Sequence, residues 1–82
     1  MILVEVKVPS MDKSYDFMLD ESMPIAAVIE EIVEMVSQKE QCQIVGNKEE
    51  VLLCQYSGEI VLNRQWTLED YQITHGGKLL LV

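Results

Sequence analysis

Cys42, Cys54, His75 and the pair Gly76-Gly77 are the positions of this 82-residue chain whose types could do chemistry. A thiol beside an imidazole, with a third group orienting the ring, would make a nucleophile and its base. Cys54 lies inside the apolar run Val51-Leu52-Leu53-Cys54-Gln55-Tyr56, where a thiol packs as a small hydrophobe. No third polar group is placed to hold His75, which falls in a turn beside the two glycines. One His with two scattered Cys lacks the ligand spacing of a zinc site. The acidic pairs Glu30-Glu31, Glu49-Glu50 and Glu69-Asp70 lack the spacing of a calcium loop and read as solvated surface or caps. No P-loop or dinucleotide fingerprint occurs. The chain therefore reads as non-enzymatic, with no metal and no cofactor.

The elements that carry these residues follow from periodicity. Ile2, Val4, Val6 and Val8 alternate with Leu3, Glu5 and Lys7, the period-two pattern of a half-buried strand, which Pro9 ends. Residues 10–13 make a turn, and Tyr15, Phe17 and Leu19 alternate against Ser14, Asp16 and Met18 as a second strand. Asp20-Glu21-Ser22 sets negative charge and a hydroxyl before a helix, and Pro24 suits its first turn. From Pro24 to about Lys39, Ile25, Val28, Ile29, Ile32, Val33 and Val36 form one stripe, which predicts a helix packed on a sheet. Residues 40–50 are the least readable: Gly46-Asn47 is a turn signal, and Cys42 to Val45 fits a loop or a short strand. Val51 to Tyr56 is a strand, turned by Ser57-Gly58 onto another, Glu59 to Leu62.

The last seventeen residues organise the rest. Thr67 can cap a helical turn, with a carboxylate three residues on, at Asp70, to reach back to the free backbone N–H groups. Too few residues follow for an α-helix, so a single 3₁₀-like turn ending near Tyr71 is expected. Gly76-Gly77 is a turn that tolerates positive φ. Lys78 to Val82 is apolar on both faces, the mark of a strand with neighbours on both sides. There is no repeat and no linker, so residues 1–82 are expected to form one domain.

Thr67-Leu68-Glu69-Asp70-Tyr71-Gln72-Ile73, followed by a turn and a strand, resembles the segment before the last strand of ubiquitin. With Met23-Pro24-Ile25-Ala26-Ala27-Val28-Ile29 at the helix start, the chain is most similar to the bacterial ubiquitin-like proteins of the YukD/EsaB type, associated with type VII secretion in Gram-positive bacteria. The resemblance implies an α+β fold, the β-grasp roll: a mixed five-stranded sheet in the order 2-1-5-3-4, one main helix on one face, and a short 3₁₀ turn before the last strand. It implies a non-covalent protein-interaction module, accessory or regulatory in an ESX-like secretion apparatus, with partners such as the secretion ATPase or membrane components. Two alternatives stand beside it: a covalent modifier or sulfur carrier, and a structural subunit that self-associates weakly. Modifiers of this fold end in a free Gly-Gly carboxylate. Here the glycines precede the last strand, so conjugation is disfavoured for a chain that stops at Val82.

Composition narrows the partners. Six basic against fourteen acidic residues give a net charge of −8, which opposes binding to nucleic acid and to anionic membranes. The opening MILVEVKVPS has no basic n-region, Glu5 and Lys7 interrupt any apolar h-region, and no run approaches the length of a membrane span. Two cysteines are too few for a disulfide framework, so a cytoplasmic location is expected.

That leaves the outer face of the sheet. If Ile2, Val4 and Val6 face the helix, then Leu3, Glu5 and Lys7 face away from it, and Lys78, Leu80 and Val82 do so by the same alternation. From the third strand Leu53 and Gln55 are expected to join them, with Cys54 and either Tyr56 or Leu52 turned inward. The expected protein-interaction face is thus Leu3, Leu53, Gln55, Lys78, Leu80 and Val82, an apolar patch with lysines at its margin. These positions coincide in part with the face through which ubiquitin is recognised. Gln55 is polar where that face carries its central apolar side chain, which disfavours recognition by ordinary ubiquitin-binding domains.

Overall fold

The structure is a computed structural model and describes residues 1–40, 51–56 and 60–82. The expectations for Cys42, for the Gly46-Asn47 turn and for Ser57-Gly58 lie outside the described residues. Strand β1 (Ile2–Val8) pairs antiparallel with β2 (Lys13–Leu19), from Ile2 opposite Leu19 to Val8 opposite Lys13. The expected turn between them contains a 3₁₀ helix, Pro9–Met11, closed where Asp12 N donates to Pro9 O at 3.0 Å. Asp12 takes the left-handed conformation, φ 51°, which a short polar side chain tolerates.

Helix α1 (Ile25–Glu40) buries the whole predicted stripe: Ile25, Val28, Ile29, Ile32 and Val36 are fully inaccessible and Val33 nearly so. Its first free N–H groups are not capped by the preceding acidic residues. Ile25 N donates to Trp66 O at 2.7 Å and Ala26 N to Arg64 O at 2.9 Å, so a distant loop supplies the acceptors every helix start lacks. Asp20 instead closes its own turn, its Oδ1 accepting from Ser22 N at 2.9 Å and Ser22 Oγ at 2.6 Å.

Strand β4 (Gly77–Leu81) is central, as its two-sided apolar character requires. It runs parallel to β1, with Val4 opposite Gly77 and Lys7 opposite Leu80, and antiparallel to β3 (Leu53–Gln55). The order is β2-β1-β4-β3, the β-grasp arrangement with four strands among the described residues where five were expected. The segment expected as the fourth of five is tied to β3 by Gln55 N to Ile60 O and Leu62 N to Leu53 O, with a single bridge between Cys54 and Val61. Among the described residues of that segment, 60–62, this pairing does not extend to a strand. β3 is also shorter than the run Val51–Tyr56, although Leu52 and Val82 exchange both of their backbone hydrogen bonds beyond it.

The helix stripe closes over Val4, Val6, Val8, Phe17, Leu19, Leu79 and Leu81. The facing of β3 differs from the expectation. Leu53 is fully buried in this core, because it stands opposite Leu81, and Gln55 stands opposite Leu79 on the same side. Cys54, opposite Leu80, takes the outer side, and Leu52 and Tyr56 follow it by alternation. Shortening Leu53 to Ala is expected to cost about 2–5 kcal/mol in urea unfolding, and Leu80→Ala less than about 1 kcal/mol. A larger loss at Leu80 would show that the assigned facing is wrong.

Candidate protein-interaction face

The register lays the outer face out in rows. Leu3 stands beside Met18; Glu5 stands between Asp16 and Lys78; and Lys7 stands between Ser14 and Leu80. Leu80 is followed across the sheet by Cys54 and Val61, and the pair Leu52 and Val82 comes next along the strands. The described carboxylates of this face keep to one half of it. The carboxylates Glu5 and Asp16 lie over β1 and β2, whereas Leu80, Cys54, Val61, Leu52 and Val82 lie over β4, β3 and the segment beyond. Val61 is 51% and Val82 55% exposed. Cys54 is buried without belonging to the core under the helix. Lys78 Nζ sits 5.6 Å from the centroid of the Tyr56 ring, at the border between the two halves.

Of the residues expected on this face, Leu3, Lys78, Leu80 and Val82 are there, and Leu53 and Gln55 are not. Leu52, Cys54, Tyr56 and Val61 occupy it in their place. Alternation within β3 alone leaves its phase open, because Leu52, Leu53 and Cys54 are all apolar. The pairing with β4 decides it.

The residues singled out for chemistry have structural roles. His75 Nδ1 accepts the Leu3 N–H at 3.2 Å while Gly76 N donates to Leu3 O at 2.7 Å, so the turn grips both backbone groups at the start of β1. Cys54 belongs to the row of Lys7, four residues or about 13 Å further along that strand, so thiol and imidazole are not brought together. Among the described residues no group of His, Cys, Asp and Glu could hold a metal. Gly76 has φ +89°, and a Cβ on Gly77 would stand 2.9 Å from Ile73 Cγ2 and 3.0 Å from Thr74 O. Both glycines are therefore needed by the turn, one for its conformation and the other for close approach.

The segment before the turn forms as a reciprocal cap. Asp70 N donates to Thr67 Oγ1 and Thr67 N to Asp70 Oδ2, each at 3.0 Å. The expected 3₁₀-like geometry shows in the bonds Tyr71 N to Leu68 O and Gln72 N to Glu69 O, which form consecutive turns and no continuous helix. Asn63 N donates to the Tyr71 hydroxyl at 2.8 Å, and the Trp66 and Tyr71 rings lie 5.3 Å apart. These contacts fix the loop whose carbonyls cap α1.

Residues 3–81 match the family described as WXG100 protein secretion system (Wss), protein YukD. The chain belongs to the YukD family. Its fold recurs in solved ubiquitin-like domains. The EccD5 ubiquitin-like domain from Mycobacterium xenopi is 20% identical with a TM-score of 0.78, the match covering 99% of this chain and 91% of that one. The N-terminal ubiquitin-like domain in the 4931431F19Rik protein is 25% identical with a TM-score of 0.73, covering 99% and 72%. A ubiquitin-like domain from an Arabidopsis thaliana protein is 21% identical with a TM-score of 0.72, covering 99% and 74%. A search of curated proteins gives no match. Among the described residues of this YukD family member, no helix is long and apolar enough to cross a membrane.

Two measurements check the local geometry. Gly76→Ala forces a side chain into the left-handed region and is expected to cost about 1–2 kcal/mol of stability in denaturant unfolding. A neutral result would contradict the assigned turn. Asp20 is held below its ordinary value of 3.8 by the hydrogen bonds from the Ser22 hydroxyl and backbone. Its contribution to stability is therefore present above that pH and is lost as pH falls through the lower folded value. Ser22→Ala should raise the Asp20 pKa in an NMR titration; an unmoved titration would mean the hydroxyl bond is not formed.

Proposed function

We propose that this protein is a non-enzymatic, non-covalent interaction module of a Gram-positive, ESX-like type VII secretion system, acting from the cytoplasm. It is an accessory or regulatory component, and its outer sheet face contacts a protein of the apparatus, such as the secretion ATPase or a membrane component. Membership of the YukD family supports the system. The observation that carries the mode of action is the cluster of Leu80, Leu52, Val61 and Val82 on a sheet face that no other described element covers. Apolar surface gathered on one face, and rimmed by polar residues, marks contact sites.

The covalent-modifier reading is disfavoured by one feature. The Gly76-Gly77 pair is built into the fold, with Gly77 opposite Val4 in the parallel ladder, and so cannot act as a free reactive tail. Affinity capture of the tagged protein from its own cells, with native and denaturing washes, tests both readings. The wild type should retain a secretion component in native washes alone. Leu80→Glu should lose it while keeping the wild-type circular dichroism and unfolding midpoint. Adducts that survive denaturation, or unchanged capture by a folded Leu80→Glu variant, would overturn the proposal.

A further inference from the structure

The backbone along the far side of β2 is left without a neighbour. Leu3 turns both of its backbone groups towards β4, donating to His75 Nδ1 and accepting from Gly76 N. Backbone groups of successive strand residues point to opposite sides, so Ile2, Val4, Val6 and Val8 serve β2. Their partners there are Leu19, Phe17, Tyr15 and Lys13. Ser14, Asp16 and Met18 therefore turn their N–H and C=O groups outward from the last strand of the sheet. No described residue pairs with them. This row of donors and acceptors, repeating every ~7 Å, is the open side of a ladder.

No bulge or proline interrupts that edge, and the register with β1 is continuous from Lys13 to Leu19. The opposite edge differs. β3 is a short strand, and Ile60 and Leu62 already take up backbone groups of Gln55 and Leu53. The core also opens towards β2: Tyr15 and Phe17, at 7% and 8%, keep the greatest exposure of its described buried residues.

A second copy is a poor occupant. A two-fold antiparallel pairing through Ser14, Asp16 and Met18 would set the two Asp16 side chains directly opposite each other. Glu5 already stands opposite Asp16, so a row of four carboxylates would result, and like charges so placed destabilise. The described strand charges of this face, Glu5, Asp16, Lys7 and Lys78, cancel, so its overall sign selects nothing. Selection falls to the residue directly opposite Asp16.

We infer that the outer edge of β2 takes up an extended segment of a partner protein as an added antiparallel strand. The unpaired backbone row dictates the extended form. A Lys or Arg stands opposite Asp16, its side chain on the outer face beside the Asp16 carboxylate. Its two neighbours are apolar and lie against Tyr15 and Phe17 on the helix side. This contact is separate from the one through Leu80, Leu52, Val61 and Val82.

Amide hydrogen exchange on the isotope-labelled full chain tests this, with an acetylated and amidated peptide of Val-Lys-Val flanked by threonines. In the free chain the amides of Asp16 and Met18 should exchange rapidly while those of Tyr15 and Phe17 are protected. Saturating peptide should slow exchange at Asp16 roughly tenfold. N-methylating the central Lys removes the N–H that meets Asp16 O and should abolish binding. N-methylating either valine, whose N–H points away from β2, should leave it. Glu in place of the central Lys should bind roughly fivefold more weakly, and Asp16→Lys in the protein should reverse that order. Protection of Asp16 and Met18 in the free chain, no slowing with peptide, equal loss from every N-methylation or an unreversed preference would overturn the inference. So would a concentration-dependent dimer that protects the same amides.

Discussion

The parallel seam between β1 and β4 is the constraint on which the rest of the molecule depends. Strands that run parallel cannot be joined by a tight turn, so everything between Val8 and Gly77 serves as the crossover. The seam must also close accurately at its start. His75 and Gly76 hold the two backbone groups of Leu3, and Gly77 enters the ladder against Ile73 and Thr74 with no room for a side chain. Once the seam is set, each remaining strand has one available edge. β2 takes the far side of β1, β3 takes the far side of β4, and the helix covers the face that Val4, Val6, Leu79 and Leu81 leave apolar.

The same seam sorts the residues into two surfaces. A register step of one residue would exchange Leu79 with Leu80 and turn the core out. Because Val6 stands opposite Leu79, Leu80 is committed to the outer face, and through Leu80 so are Cys54 and Val61. The outer apolar face is thus a by-product of how the core is filled, and its position needs no separate device.

What the sequence discloses follows the range of the interactions. β1, β2 and α1 were legible because each repeats its own period over seven or more residues, and Thr67 with Asp70 because a cap is local. β3 was not. Three adjacent apolar residues, Leu52, Leu53 and Cys54, carry no phase, and only the pairing with Leu81 and Leu80 assigns it. The capping of α1 was hidden for a related reason. Asp20 and Ser22 offer a local solution, but the acceptors used are main-chain carbonyls of Arg64 and Trp66, which no side-chain pattern announces. The candidate face inherited both limits: its β1 and β4 members were readable and its β3 members were inverted.

The central claim is that the sheet, and not the helix, presents the working surface. Placing a photo-crosslinking amino acid at Val82 in one strain and at Glu34 in another, both exposed positions, tests it in the protein's own cells. Illumination should give one discrete adduct with a secretion component from position 82 and none from position 34. An adduct from position 34 alone would place the contact on the helix and contradict the assignment of the outer sheet face.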